Sequence, residues 1–345
     1  MIDTIYVEDA VAKHRRSREI IARFKNARIV ECRHYGEVFN RRQQNFRLQK
    51  TRPALILARK INRRVLPIPA GYGIDGARGY YFSHMLNCLY DCRYCFLQGM
   101  FRSAHYVLFV NYEDFIADIE RVCGETREDV WFFSGYDCDS LALDPVTGFV
   151  GDFVPAFAKL KNAWLELRTK STQIRSLIGM QAHSRVVCAF SLSPQPVVAT
   201  LEHRTPDLDA RLEAMQRLAD CGWPLGIRFD PLILIEDFER IYGEFIDTVF
   251  SRLDGSTIHS ATVGTFRMPS TFAKAITRLY PEEPLYAGRF VERNGSLGYT
   301  EDTVGDMVKW TLARLGQYLP PERIFVQAPS SKEGHDEAPG APVIN

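Results

Sequence analysis

The chain has 345 residues, of which 46% are hydrophobic and 25% charged, with a net charge of +1. That is the balance of an ordinary globular protein with ample material for a core. Its longest apolar runs, such as Ala54-Leu55-Ile56-Leu57-Ala58, are far too short to span a bilayer. Residues 1–4 also lack the basic-then-apolar pattern of a secretion signal, so a cytoplasmic protein with no membrane partner is expected.

The charge is unevenly spread. Residues 13–64 hold 17 Lys/Arg against three acids (Glu19, Glu31 and Glu37), a local +14 that leaves −13 for the rest. A basic arm on a neutral protein suits a polyanion such as DNA. The alternative is a solvated helix face with internal ion pairs. The aromatics of this arm, Phe24, Tyr35, Phe39 and Phe46, are expected to form a small core.

From residue 80 onward, short β-branched or aromatic runs alternate with amphipathic stretches of helical period. Strands are expected at 80–85, 129–134, 164–169, 186–192, 225–231 and 257–265. Helices are expected at 112–123, 152–162, 171–178, 208–221, 238–253 and 270–280. Six strand–helix units in succession argue for parallel strands and right-handed crossovers. They are too few for a closed eight-stranded barrel, so the expected fold is α/β, an open (β/α)6 TIM-like partial barrel whose site lies at the carboxyl ends of its strands.

Directly after the first of these strands comes Cys88-Leu89-Tyr90-Asp91-Cys92-Arg93-Tyr94-Cys95, with Phe96 following. Eight cysteines without a secretion signal suggest reduced thiols, and C-x3-C-x2-C gathers three of them on one short loop. Three thiolates can hold three irons of a cubane cluster and leave the fourth open to a small molecule. A zinc site is the competing reading, with His84 as fourth ligand. Structural zinc usually takes two ligand pairs, and no second C-x-x-C occurs. Cys32, Cys123, Cys138, Cys188 and Cys221 are dispersed, as small buried apolar groups often are.

One carboxyl-end position looks chemical: Asp230, which shares a strand face with Arg228. Near the C-terminus, Asn294-Gly295 divides 285–300 into a β-hairpin, and 328–345 reads as a disordered tail rich in Pro, Gly and charge. The expected organisation is a basic N-terminal region (1–79), a barrel (80–283), a hairpin with a further helix and strand (284–327), and the tail.

The cysteine spacing, with an aromatic beside the last cysteine, resembles the radical S-adenosylmethionine (SAM) superfamily. Further matches narrow the resemblance to the spore photoproduct lyase family. They are Ile5-Tyr6-Val7-Glu8, Cys92 through Gln98, Thr169-Lys170-Ser171, Phe190-Ser191-Leu192-Ser193, Glu202-His203-Arg204-Thr205-Pro206, Arg211-Leu212-Glu213-Ala214, and Ala219 through Gly226. These run in order between about residues 5 and 327.

The resemblance implies a [4Fe-4S] cluster on Cys88, Cys92 and Cys95, and SAM on the open iron. Lys170 would meet the SAM carboxylate, with Ser191 beside SAM and Ser134, Gly135 and Asp137 near its amino group. Asp230 is a further pocket candidate. The implied reaction reverses a methylene-bridged thymine dimer in DNA through a 5′-deoxyadenosyl radical, with electrons from a flavodoxin or ferredoxin. The hairpin would enter the duplex, Arg289 and Arg293 on phosphate and Phe290 or Tyr299 in the space left by the lesion.

Two positions depart from the family. Tyr136 stands where a hydrogen-donating cysteine is usual, with Cys138 two residues on as the substitute donor. Tyr94, the other catalytic candidate, keeps one phenol of the family's tyrosine pair; Phe96 stands in the second place, so a relay that needs both phenols cannot run. Another modified base or a different substrate such as a small molecule, or a non-catalytic iron–sulfur nucleic-acid-binding protein, are the alternatives; the oligomeric state is left open.

Overall fold

A computed structural model describes residues 2–69, 71–74 and 77–327. The expected tail at 328–345 lies outside the described residues. All six expected barrel strands are present: β1 Arg78–Phe82, β2 Val130–Ser134, β3 Ala163–Thr169, β4 Val186–Ser191, β5 Leu225–Leu232 and β6 Ile258–Thr265. They lie side by side in that order, each parallel to the next. A seventh strand, β7 (Ile324–Val326), extends the sheet in parallel beyond β6, and Val65–Pro67 pairs antiparallel at the β1 edge. The sheet is an open partial barrel of eight strands.

The crossovers include helices α1 Tyr112–Gly124, α2 Phe149–Phe157, α3 Leu208–Asp220, α4 Phe238–Arg252 and α5 Ser270–Leu279, with α6 Glu301–Leu315 preceding β7. Aromatic packing fastens α2 to the sheet: Phe82 of β1 stacks on Phe153 at 5.2 Å, and Phe132 of β2 meets Phe157 at 5.5 Å. Two expected helices differ. The helix expected at 152–162 begins earlier, at Phe149, immediately after Gly148 in the left-handed conformation (φ 64°). Of 171–178 only Arg175–Ile178 is helical. There Thr169 Oγ1 accepts from the Ser171 amide (2.8 Å) and Ser171 Oγ from the Gln173 amide (3.0 Å), local bonds that compete with a helical start.

The N-terminal region builds its own sheet, which the pattern of charges concealed. Arg28–Cys32, Thr4–Glu8, Leu55–Ala58 and Tyr106–Phe109 run parallel in that spatial order, with Met85–Leu86 antiparallel at the edge. Its last two members come from beyond residue 79, so the chain from β1 to Phe109 contributes to both sheets. The expected single strand at 80–85 is therefore two, broken at Ser83-His84 where the chain changes sheets. Phe39 and Phe46 are buried in this region and Tyr35 meets Phe109 edge-on at 5.6 Å, the small aromatic core anticipated.

Much of the basic arm is used internally. Arg16, Arg47, Arg52, Arg59 and Arg64 pair with Asp152, Glu282, Asp3, Asp114 and Asp118. The internal-pair alternative thus accounts for a substantial share of the +14. No helix among the described residues is long and apolar enough to cross a membrane.

Period-two alternation on β3 sends Trp164, Glu166, Arg168 and Lys170 to the concave face. Trp164 stacks on Trp131 of β2 at 5.0 Å and neighbours His259 of β6, closing the floor. Above it Glu166, wholly buried, receives Arg228 Nη2 of β5 (2.7 Å) and Arg168 Nε (2.9 Å). Arg228 also donates to the Ser260 carbonyl at 2.9 Å. A Cβ at Gly226 would stand 2.7 Å from Arg228 Nη2, so glycine is needed for this close approach.

Burial by itself would raise the Glu166 carboxyl, but the two guanidiniums hold it down at about 2. Since the folded value lies below the ordinary 4.5, this stabilisation is present above about pH 4.5 and is lost as pH falls toward 2. Urea midpoints measured across that window should fall steeply, and Glu166→Gln should flatten the fall. An equally steep profile in the variant would refute the assignment.

Candidate functional site

The cysteine loop sits at the carboxyl ends of the barrel strands, clamped from both sides. From the N-terminal region, Lys50 is buried and donates to the carbonyls of Cys88 (3.1 Å) and Tyr90 (2.9 Å). From the barrel side, Glu202–His203 pairs antiparallel with Asp91–Cys92, and the Arg93 amide donates to the Leu201 carbonyl at 2.8 Å. Arg204 Nη1 reaches the Lys50 carbonyl at 2.9 Å, joining the two clamps. The Glu-His-Arg-Thr-Pro motif thus builds the floor under the cysteines.

Beneath that floor lies a buried charged network. Glu202 and Arg211 form an ion pair with both side chains fully buried. The Tyr94 phenol donates to Glu202 Oε1, and Ser193 Oγ donates to the same oxygen at 3.0 Å. Arg211 continues to the carbonyls of Pro206 (2.9 Å) and Ser191 (3.2 Å). Burial would raise the Glu202 carboxyl, yet Lys170, Arg211 and these hydrogen bonds keep it below its ordinary range. Tyr94 is therefore an anchor of the loop, its hydroxyl held by a carboxylate.

All three loop cysteines are free thiols; Cys92 is buried, Cys88 and Cys95 half-buried. Burial pushes the Cys88 thiol up to about 12 and raises the other two, with Lys170 and Lys50 opposing at Cys95. The Tyr90 amide donates to Cys88 Sγ at 3.4 Å. Among the described residues no three His, Cys, Asp or Glu side chains converge closely enough to hold a single ion. A cubane does not ask for that, because each thiolate ligates a different iron. Three thiols on one loop, with two lysines and an amide as compensating groups, fit an anionic cluster. His84 is no ligand: it is buried, stacked on Phe149 at 4.0 Å, and burial lowers it to about 3.

Lys170 closes the site above β3. Its amide donates to Asp139 Oδ2 (2.7 Å), while Thr169 Oγ1 donates to Asp139 Oδ1 (2.6 Å). Its ammonium lies 5.5 Å over the Tyr94 ring and acts electrostatically on Cys92 and Cys95. Ser191, at the end of β4, is buried beside the same network. Lys170, Ser191 and the three cysteines therefore lie together at this end of the barrel.

The remaining expected site residues are held by partners of their own or by backbone geometry. The Ser134 hydroxyl lies 2.8 Å from the Ser140 hydroxyl and donates to the Glu166 carbonyl, also at 2.8 Å. Asp137 is buried toward Ser83 and Lys60, and burial raises its carboxyl. Gly135 takes φ 84°, the conformation that turns the chain out of β2. Asp230 is paired with Arg267 (3.2 Å); Arg228, on the same face, belongs to Glu166 instead.

Cys138 is buried in the main core, its sulfur facing the Met85 amide and Cys88. Tyr136 is half-buried, 4.5 Å from the Tyr81 ring and 5.6 Å from Phe96. At the hairpin, Val291–Arg293 and Ser296–Gly298 pair around Asn294 and Gly295, both with positive φ, and Arg267–Pro269 adds a third strand. Arg289 is exposed, whereas Arg293 pairs with Glu301. Tyr299 is buried, accepts the Leu234 amide at 2.9 Å and packs on Phe290 at 5.1 Å. It supports the hairpin from below and presents no free face to a ligand.

The sequence reading missed Lys50 and the Glu202–Arg211 pair as parts of this site. Nothing local marks Lys50, which lies 38 residues from the cysteine it braces. Glu202 carried a signal: an acid and an arginine nine residues apart, inside motifs otherwise unexplained.

Comparison with known proteins accords with this geometry. The family profile described as spore photoproduct lyase matches residues 1–289. Spore photoproduct lyase of Bacillus subtilis (strain 168) is 23% identical over 291 residues, covering 81% of this chain and 83% of that protein. The Clostridium acetobutylicum spore photoproduct lyase is 22% identical over 200 residues, 57% of this chain and 59% of that protein. The match therefore spans less than two thirds of the clostridial protein's length. Among solved structures, a doubly substituted spore photoproduct lyase with bound AdoMet and dinucleoside spore photoproduct superposes with a TM-score of 0.83. That alignment has 19% identity and covers 95% of this chain and 98% of that one. At such identity the superposition speaks for the fold.

Proposed function

The chain belongs to the spore photoproduct lyase family, and from that premise we propose that it is a radical SAM lyase that reverses a methylene-bridged thymine dimer in DNA. The observation that carries the reading is the clamped three-cysteine loop with the Lys170 ammonium over the ring of its Tyr94. Cys88, Cys92 and Cys95 would hold a [4Fe-4S] cluster and Lys170 the SAM carboxylate, with Ser191 alongside. When bound, these groups supply a 5′-deoxyadenosyl radical.

The protein's share of the work is placement and exclusion. Lys50, Glu202 and Arg204 hold the loop in one conformation. The layers of Glu166–Arg228 and Trp131–Trp164 seal the barrel floor against solvent. A flavodoxin or ferredoxin is the class of reductant that suits the cluster. The deciding experiment is anaerobic: reconstitute iron and sulfide, reduce, add SAM, and quantify 5′-deoxyadenosine and lesion loss with dinucleoside spore photoproduct or irradiated DNA. Lesion loss coupled to SAM cleavage supports the reading. SAM cleavage indifferent to the lesion moves it to another modified base, and DNA affinity with no SAM cleavage leaves only a binding protein.

Two further results are expected. Lys170→Ala should weaken SAM binding about tenfold to a hundredfold, since a charged hydrogen bond contributes about 1.5–3 kcal/mol. Unchanged affinity by equilibrium dialysis would remove Lys170 from the site. Arg289→Ala with Arg293→Ala should weaken DNA binding and flatten its salt dependence, by about one unit of slope for each phosphate left unneutralised. Because Arg293 is paired with Glu301, most of the change should come from Arg289. An unchanged slope would count against the hairpin as a DNA-binding element.

A further inference from the structure

Resting on the lyase reading, we propose that Tyr136, partnered by Tyr81, is the hydrogen-atom donor that quenches the product radical, and that Cys138 is a packing residue. Breaking the bond between the two thymines leaves one of them as a carbon-centred radical. That carbon needs one hydrogen atom from a side chain with a labile X–H bond at the mouth of the barrel.

Cys138 does not present such a bond. It is 5% exposed within the main hydrophobic core, and its sulfur is turned to the Met85 amide and Cys88. Tyr136, in the same turn, has the rings of Tyr81 and Phe96 as neighbours instead. It follows Gly135, whose φ of 84° swings the chain outward from β2, and it is half-buried rather than sealed. Its ring lies 5.6 Å from Phe96, the residue next to Cys95, and Phe96 stacks in turn on Phe272 of α5 at 6.3 Å. Tyr136 therefore lies against the aromatic residue that flanks the last cysteine of the loop.

It does not stand alone. The Tyr81 ring, at the end of β1, lies 4.5 Å away. Tyr72 joins from the preceding loop, its hydroxyl accepting Arg267 Nε at 3.1 Å. Burial and the nearby Asp137 carboxylate raise the phenols of both Tyr136 and Tyr81, so both keep their O–H bonds at any working pH. Phe96 can give no hydrogen atom and the Tyr94 hydroxyl is held by Glu202. Tyr136 and Tyr81 thus supply a phenol pair beside the cysteine loop.

The step balances as follows. The Tyr136 O–H bond breaks homolytically and a C–H bond forms on the thymine methylene, giving thymine and a neutral phenoxyl. The phenoxyl is shared with Tyr81 and is returned to phenol by one electron and one solvent proton. The electron comes from the same class of low-potential one-electron donor that serves the cluster, a flavodoxin or ferredoxin.

The test uses the reconstituted enzyme with dinucleoside spore photoproduct, reading SAM cleavage, lesion loss and thymine yield separately. Tyr136→Phe should leave lesion loss within about threefold but cut thymine yield at least tenfold, with adducts of the external reductant in its place. Tyr136→Cys, which restores a labile S–H at the same point, should recover the yield, and Cys138→Ala should match the parent. In protein without cluster or SAM, oxidation by azide radicals should leave a long-lived phenoxyl absorbance, shortened at least tenfold by Tyr136→Phe. A full thymine yield in Tyr136→Phe, or its loss in Cys138→Ala, overturns the assignment while leaving the lyase reading intact. Absence of lesion loss in the parent enzyme overturns both.

Discussion

Glu202→Leu is expected to lower the stability of the fold by about 3–5 kcal/mol, because it leaves the Arg211 guanidinium as an uncompensated charge in the core. Both side chains of the pair are fully buried, so water cannot take the place of the lost carboxylate. The same carboxylate receives the Tyr94 phenol and the Ser193 hydroxyl, and the strand carrying it pairs with Asp91–Cys92. The damage should therefore reach the cysteine loop, and iron incorporated per chain should fall together with the urea midpoint.

The double variant Glu202→Leu with Arg211→Leu separates the two effects. Replacing a buried pair by apolar residues of similar size is often nearly neutral, so stability should return. Iron incorporation should not, because Tyr94 still lacks its acceptor. If the single variant unfolds at the parent midpoint and takes up iron fully, the network has no anchoring role.

The second large effect concerns the thiols themselves. Cys92→Ala should abolish the iron–sulfur absorbance and reduce SAM cleavage at least a hundredfold, while far-ultraviolet circular dichroism stays that of the parent. The informative contrast is Cys188→Ala. Cys188 is wholly buried in β4, so its loss opens a small cavity and costs about 1 kcal/mol, yet it should leave iron content and SAM cleavage untouched. Cluster loss in both variants would mean that the absorbance reports folding rather than ligation. Cluster retention in Cys92→Ala would move the ligand set away from this loop.

The chemistry of the chain was legible because it is local. Cys88, Cys92 and Cys95 lie within eight residues, so their spacing is a property of the chain before it folds. The six barrel strands were legible for a similar reason: apolar runs of one strand's length, spaced by amphipathic helices, carry their own period. Lys170 and Ser191 stood at strand ends, where a parallel sheet places its ligands, and the family resemblance singled them out there.

What tertiary structure decided is which polar groups face which. Asp230 and Arg228 share a strand face, as alternation requires, yet their partners are Arg267 and Glu166 from other elements. Tyr94 and Tyr136 both carry a phenol near the site, but one hydroxyl ends on a buried carboxylate while the other ring looks out beside Phe96. Tyr299 was expected to reach into DNA and is instead held under the hairpin by Leu234 and Phe290. The basic arm was expected to face a polyanion, and several of its arginines are closed on acids more than 40 residues away. In each case the deciding partner is distant in sequence, and a buried charge or hydroxyl is stable only with such a partner. The chain by itself therefore determined the cysteine loop, the barrel and the class of chemistry. Only the packed structure determined which side chains hold that loop and which remain free to act.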